Sequence, residues 1–566
     1  MTFSRSMLSR DLWSVSRDRD VRPPAEKIQL HYGRAKAICE ASGLTVSDVV
    51  HLTSKFWDFH FDRVIAARDM TAFIIATIHL NLCVGTIGAF VDNRPDLLPI
   101  LAKLERFEVC GEFMLTEFGH GLDARNLETT AHMCSDGSFD LHTPTLAAAK
   151  AMPPTTPEAG VPRVAVVFAR LMIDGDDVGV RPFLVWLNDA VGMRPGVTSR
   201  ALPIRPGTKP LDHSITSFDH VHLPRGALLG SVSPPDNIRS DFLKQIWRVS
   251  VGTLSLSIMG VSALKVGSYI AARYSQQRLV ENTSTGKRVP IFTFSTQQEP
   301  IIRGLVSSKV LDVYARWTVG EFMNRSLDQR VRHGLATVFK ALVMRSVKTL
   351  DELVHRCGWQ GLFNHNQIAE LALTIQGNSI AEGDTLVLCI RLASELLLGR
   401  YALHAPKERE GLLAKYEQGI FGEAREKLAG MPGGHRGREF DRYILPMCGQ
   451  LVGALGQRMA YEAAKSSGLD HAILEFFEIS CIANDLSWYN ENAGLTRSKA
   501  ADRQARALRN VLPLLPQLLD ESEVATYVTA SIINEKESED FVMGLPKFED
   551  DGGRRLPEET HGEAKL

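Results

Sequence analysis

The apolar residues change period twice along the chain, and this restricts the fold more than any other feature. Up to about residue 108, apolar positions recur at helical spacing, over 25–42, 46–70 and 71–90. The composition shifts at 107–116. From there to about residue 230, Pro, Gly, Thr and Val increase and the helical period fades. Residues 163–170 and 178–187 read as β-rich runs joined by a hairpin turn at Asp174-Gly175-Asp176-Asp177. A further short strand, 218–223, is closed by Pro224. From residue 241 the helical period returns. The expected fold is mostly α with a central β domain, a barrel or sandwich. The expected divisions are 1–108 (helical), 109–235 (β), 236–405 (helical bundle), 406–545 (a further helical domain) and 546–566 (a polar tail).

The totals exclude several classes. A chain of 566 residues, 44% hydrophobic and 23% charged, can bury a large core. A net charge of −2 gives no electrostatic reason for nucleic-acid binding. The eight cysteines are scattered with no CxxC pair, so neither a zinc site nor a redox dithiol is indicated, and a reducing compartment fits. Residues 70–91 carry no formal charge over 22 positions. The run contains His79, Asn81 and two glycines, so a buried helix is expected rather than a membrane span. His213, His220 and His222 raise the question of a metal. Alternation at 220 and 222 is equally a polar strand face, and no carboxylate or third His stands at a metal-site spacing. No metal is expected.

One carboxylate stands out. Glu382 follows a polar loop and precedes an apolar run with residues 386, 387, 390, 393, 396 and 397 at helical spacing. By spacing alone it is a helix-start residue, favoured there by the helix dipole and free backbone N–H groups. Residues 381–388, AEGDTLVL, also resemble the EGDN-type motif of the acyl-CoA oxidases, in the acyl-CoA dehydrogenase superfamily. The resemblance is strongest at 110–150. There LTEFGHG, 115–121, matches the family's TE-x-GHG signature, and Leu127-Glu128-Thr129-Thr130-Ala131, His142-Thr143-Pro144-Thr145 and Ala149-Lys150 continue in register. Residues 273–301 resemble the family's Arg-rich loop, and Cys357-Gly358-Trp359-Gln360-Gly361 its glycine-rich turn. Two departures stand out. The aromatic residues expected after Lys150 are Ala151-Met152-Pro153-Pro154 here, and the usual Asp-Asn-Thr after the base reads Asp384-Thr385-Leu386.

The resemblance implies an acyl-CoA dehydrogenase-like fold: an N-terminal helical domain, a β-barrel and a four-helix bundle, plus an extra C-terminal helical domain. It implies FAD as cofactor, Glu382 as the base that removes the α-proton of an acyl-CoA, and O2 as the acceptor that yields H2O2. Carried over residue by residue, Thr116, Gly121, Arg278, Gln297, Gln298, Gly361 and Thr385 are the flavin-binding positions. The FAD site of such a family lies partly across a homodimer interface. The last three residues, Ala564-Lys565-Leu566, resemble the Ser-Lys-Leu address read by the peroxisomal import receptor. The reading is therefore a peroxisomal acyl-CoA oxidase of fatty acid β-oxidation. Three alternatives remain. They are a flavin desaturase tailoring a specialised acyl thioester, a dehydrogenase with another electron acceptor, and a flavin-less relative kept as a binding protein.

Overall fold

A computed structural model describes residues 7–8, 10–15, 23–62 and 68–548 of the chain. Ala564-Lys565-Leu566 therefore lies outside the described residues. The N-terminal part begins with helix α1, Pro24–Ser42. The helix expected over 46–70 is instead two short ones, Val46–His51 and Ser54–Phe61, separated where Leu52 adopts φ +52°. Helix α2, Met70–Thr77, follows, capped by the Asp69 carboxylate. It runs on into a π-helical segment, Ile78–Val84. The uncharged run is thus helical as expected, but wound wider than an α-helix in its middle. Its part Met70–Gly88 and a second apolar helix, Trp247–Gln277, are long enough to cross a membrane, and in each 89% of the most apolar 18-residue stretch is buried inside the protein.

Nine strands make the central region. They are β1 Cys110–Met114, β2 Thr130–Met133, β3 Phe139–His142, β4 Lys150–Pro154, β5 Arg163–Ile173, β6 Asp176–Asn188, β7 Val197–Ala201, β8 His213–Phe218 and β9 Val221–Leu223. Strand β5, paired along both edges, organises them. One edge pairs antiparallel with β6 through the turn at Asp174 and Gly175. Both turn residues have positive φ, which a two-residue hairpin loop twisted with its strands requires. The other edge takes β1 and then β2, both parallel, and β2 continues through β3 to β9. A second sheet has the order β4-β8-β7.

The pleat of β5 explains why it is apolar on both faces. Val164, Val166 and Phe168 face the large helical core, whereas Ala165, Val167, Ala169 and Leu171 face a second core enclosed within the β region. The strand expected over 218–223 is interrupted. It is the last residue of β8 and all of β9, divided at Asp219 and His220, with His220 at φ +48°.

Helix α3, Trp247–Gln277, runs through the centre of the molecule, about 46 Å long at 1.5 Å per residue, and is buried along nearly its whole length. After a hairpin of β10 Leu279–Asn282 and β11 Lys287–Pro290, helices α4 Ser295–Met323 and α5 Gln329–Ser346 pack beside it. Helices α6 Thr349–Arg356, α7 Ile368–Ile380 and α8 Thr385–Leu397 complete this layer. The segment 398–411 is not helical, so a boundary near 405 falls between elements. It is not a break in packing. Helix α9, Leu412–Ala429, packs on α10, Cys448–Ser466, and α10 packs against α4, α5 and α8 as part of the bundle. Leu455, Met459 and Phe477 share one core with Tyr314 and Phe339.

Candidate active site

Glu382 lies in the turn between α7 and α8. It does not cap α8. The cap is Asp384, whose carboxylate accepts from the backbone N–H groups of Leu386 and Val387 at 3.0 and 3.1 Å. The buried face of α8 also differs from the expected one. Cys389, Leu392, Ala393, Leu396 and Leu397 are buried, while Leu386 and Val387 are exposed. The helix starts at 385 rather than at Glu382, and its first turn projects outward.

Glu382 itself has φ +52° and Gly383 φ +96°. Such a conformation in a non-glycine residue costs on the order of 1–3 kcal/mol and is held only when its surroundings over-determine it. Three consecutive carbonyls are held here. Lys340 Nζ donates to the carbonyls of Ala381 and Gly383, each at 2.6 Å. Thr253 Oγ1 donates to the carbonyl of Glu382 at 2.8 Å. The carboxylate is thereby aimed at α3. A Cβ on Gly252 would stand 1.0 Å from Glu382 Oε2, so only glycine leaves room for it.

The surroundings set the charge state. Burial raises the Glu382 carboxyl to about 8, against the opposing effect of Lys340 and then Arg248. Burial lowers Lys340 to about 8 and Arg248 to about 9, and Glu382 works against both shifts. Asn81 Nδ2 is 3.5 Å from Glu382 Oε2, while its Oδ1 accepts from Arg248 at 2.8 Å. Arg248 also donates to the carbonyls of Asn81 and Val49. Asn81 is on the π-helical segment, a local winding frequent at functional sites. Two residues earlier on that segment, His79 Nδ1 accepts from the backbone N–H of Gly111 at 2.8 Å. The π segment therefore touches both the carboxylate and β1, the strand that leads into 115–121.

That loop is fixed from beneath. Glu117 and Lys150 form a fully buried ion pair at 3.0 Å. Glu117 also accepts from the backbone N–H groups of Glu128 and Thr129, and Lys150 donates to the carbonyl of Phe168 at 2.6 Å. Thr116 is half-buried, and its hydroxyl has no hydrogen bond among the described residues. Gly121 is exposed, with no atom within 4 Å of where a Cβ would stand. Downstream of Lys150, Met152 has φ +78° and is half exposed, at a bulge between β4 and β8.

The remaining predicted cofactor residues lie elsewhere. Arg278 is exposed at the end of α3. Gln297 donates to Ser275 Oγ at 2.8 Å and to the carbonyl of Arg356 at 2.7 Å. Gln298 is half-buried on the next position of α4. Gly361 packs where a Cβ would meet the carbonyl of Val354 at 2.1 Å. Thr385 donates to the carbonyl of Ser379 at 2.7 Å. It lines a cavity of about 1000 Å³ with Asp384, Arg303, Arg345 and Lys348. Ser275 and Thr253 mark the two groups on one helix. They are 22 residues apart, roughly 33 Å at 1.5 Å per residue. The chain therefore brings Arg278, Gln297 and Gly361 together, but not to Glu382.

Asn81, Arg248, Gly252, Thr253 and Lys340 are the residues that sequence reasoning missed. A charged residue inside the apolar pattern that opens α3 was the one signal for Arg248. The uncharged run around Asn81 pointed only to burial.

Residues 254–397 match the family described as Acyl-CoA oxidase, C-alpha1 domain. The human peroxisomal acyl-coenzyme A oxidase 3 is 28% identical over 404 residues, covering 66% of this chain and 56% of the relative. The chain thus spans about half the length of that relative. The crystal structure of acyl-coA oxidase1 from Yarrowia lipolytica superposes with a TM-score of 0.81 at 18% identity, covering 98% of this chain and 90% of that one. Acyl-CoA oxidase-2 of Caenorhabditis elegans, in a structure bound with FAD, ascaroside-CoA and ATP, gives a TM-score of 0.69 at 17% identity, covering 97% and 96%.

Proposed function

We propose that this chain, which belongs to the acyl-CoA oxidase family, dehydrogenates an acyl-CoA between its α and β carbons, with Glu382 as the base. The observation that carries the reading is the Glu382 carboxylate. It is half-buried, raised to about 8 by desolvation, aimed by three held carbonyls and given room by a glycine. An α-proton of a thioester is a weak acid. A base matched to it combines a positioned carboxylate with a pKa near the working pH. Arg248 and Lys340 favour the ionised form, and Asn81 keeps one carboxylate oxygen in place.

FAD, when bound, would accept the β-hydride, and O2 would then be reduced to H2O2. The free hydroxyl of Thr116 and the open backbone at Gly121 suit the ring end of such a group. The exposed Arg278 suits its pyrophosphate. Gln297 meets Ser275 and Glu382 meets Thr253, about 33 Å apart along α3, which favours a flavin held between two copies. The reading therefore includes a homodimer, in which Arg278, Gln297 and Gln298 of one copy complete the site at Thr116 and Glu382 of the other. The names of the human and plant relatives support a peroxisomal location.

The bulge at Met152 favours a second reading, in which the substrate is a specialised acyl thioester rather than a straight-chain one. The test is to purify the yellow protein and add acyl-CoAs without oxygen. Bleaching of the flavin absorbance by straight-chain acyl-CoAs supports the first reading. Bleaching only by branched or otherwise modified thioesters supports the second. A colourless protein, or a yellow one that no acyl-CoA bleaches, rejects both.

A further inference from the structure

The outer face of β2, β3 and β9 carries a ladder of histidines that the active site does not use. The buried neighbours Ala131, Phe139, Leu141, Val221 and Leu223 point into the β-region core, so the alternate positions point outward. His132 pairs with Asp140, and Asp140 with His222. One step along, beside the turn between β8 and β9, His142 and His220 stack with ring centroids 4.2 Å apart. The sequence shows only His220 and His222 on one strand; the fold adds the third histidine and the carboxylate that the spacing lacked.

We propose that His142, Asp219 and His220 form a binding site for one divalent transition-metal ion of the zinc class. One ligand atom from each lies within 4.8 Å of the ligand atoms of the other two. Nδ1 of His142 is buried, makes no hydrogen bond, and stands 3.9 Å from Asp219 Oδ1. Two ligand atoms ~2.0–2.2 Å from one tetrahedral ion stand about 3.4 Å apart, so a movement of about half an ångström closes this pair on zinc. A turn of one of the two stacked rings about its χ angles would bring both nitrogens onto one ion, and imidazole with one carboxylate is a donor set for zinc, nickel or copper rather than for magnesium or calcium. Asp140 Oδ2 accepts from His220 Nδ1 at 2.8 Å, the outer-sphere contact that fixes a ligating histidine's tautomer and orientation. Asp219 and His220 belong to the turn dividing the two sheets' strands, so a bound ion would tie that turn to β3.

The test is calorimetry of the full-length protein with Zn2+ and Ni2+, with Mg2+ as the control. The expected result is one Zn2+ per chain and no heat with Mg2+. His142→Thr combined with His220→Asn should abolish binding. The latter keeps a residue tolerant of positive φ. Asp140→Asn should weaken binding about 10- to 100-fold. Cys134→Ser, at the end of β2 away from His142, is a control and should leave affinity unchanged. The proposal is overturned if the wild type takes up no Zn2+, if the double variant binds as the wild type does, or if Cys134→Ser abolishes uptake.

Discussion

A carboxyl group on a residue at φ +52° and packed against a glycine is a demanding arrangement, and each of its demands can be tested at one residue. Gly252→Ala should keep the helix but push the carboxylate aside. A displacement of about 1 Å costs on the order of 100-fold in rate, so turnover should fall by that much while flavin content and unfolding temperature stay near wild type. Loss of both flavin and turnover would contradict this. The raised carboxyl also fixes the sign of the pH dependence. Glu382 acts only when ionised, so kcat/KM should be low at pH 6, rise tenfold per pH unit and level off above about 8. An acid limb near 4.5 would mean the carboxylate is solvated in the working enzyme. Glu382 was legible in the sequence because its neighbours lie beside it in the chain. Asn81, Arg248, Gly252 and Lys340 were not, because they come from three separate elements and no local spacing links them.

The element with the most unusual support is the loop 115–121. It has few apolar contacts of its own and rests on the ion pair of Glu117 with Lys150, both without exposed side-chain surface. Removing one member of a buried pair leaves a lone charge, at about 3–5 kcal/mol. Lys150→Met should therefore lower the stability by about that amount and reduce flavin retention, as thermal unfolding and the flavin-to-protein absorbance ratio would record. Unchanged values in both would remove the loop's dependence on this pair. Elements differed in how far the sequence disclosed them. The hairpin of β5 and β6 was clear, because two β-branched runs flank an Asp-Gly turn. Strands β1 to β4 were not, because they are four or five residues long and take their pairing from β5, β8 and β9, far away in sequence. The π-helical winding of Ile78–Val84 has the same apolar composition as an α-helix and leaves no separate pattern.

For the whole molecule, the helical–β–helical order was visible in the period of the apolar residues, but the number of cooperative units was not. The C-terminal region reads as an addition, whereas α10 packs into the bundle and Arg458 is buried between Glu417 and Glu462. A chain ended at residue 405 should therefore fail to fold, since the faces of α4, α5 and α8 would be left bare. Circular dichroism with thermal melting would decide this, and a cooperative transition in the fragment would show the region to be dispensable. The central claim concerns the molecule's chemistry, and one measurement reaches it most directly: peroxide release in air from a panel of acyl-CoAs, with wild type and Glu382→Gln side by side. The account predicts release by the wild type and a loss of about 100- to 10,000-fold in the variant. Equal release from the two proteins would contradict it and reduce Glu382 to a strained turn residue.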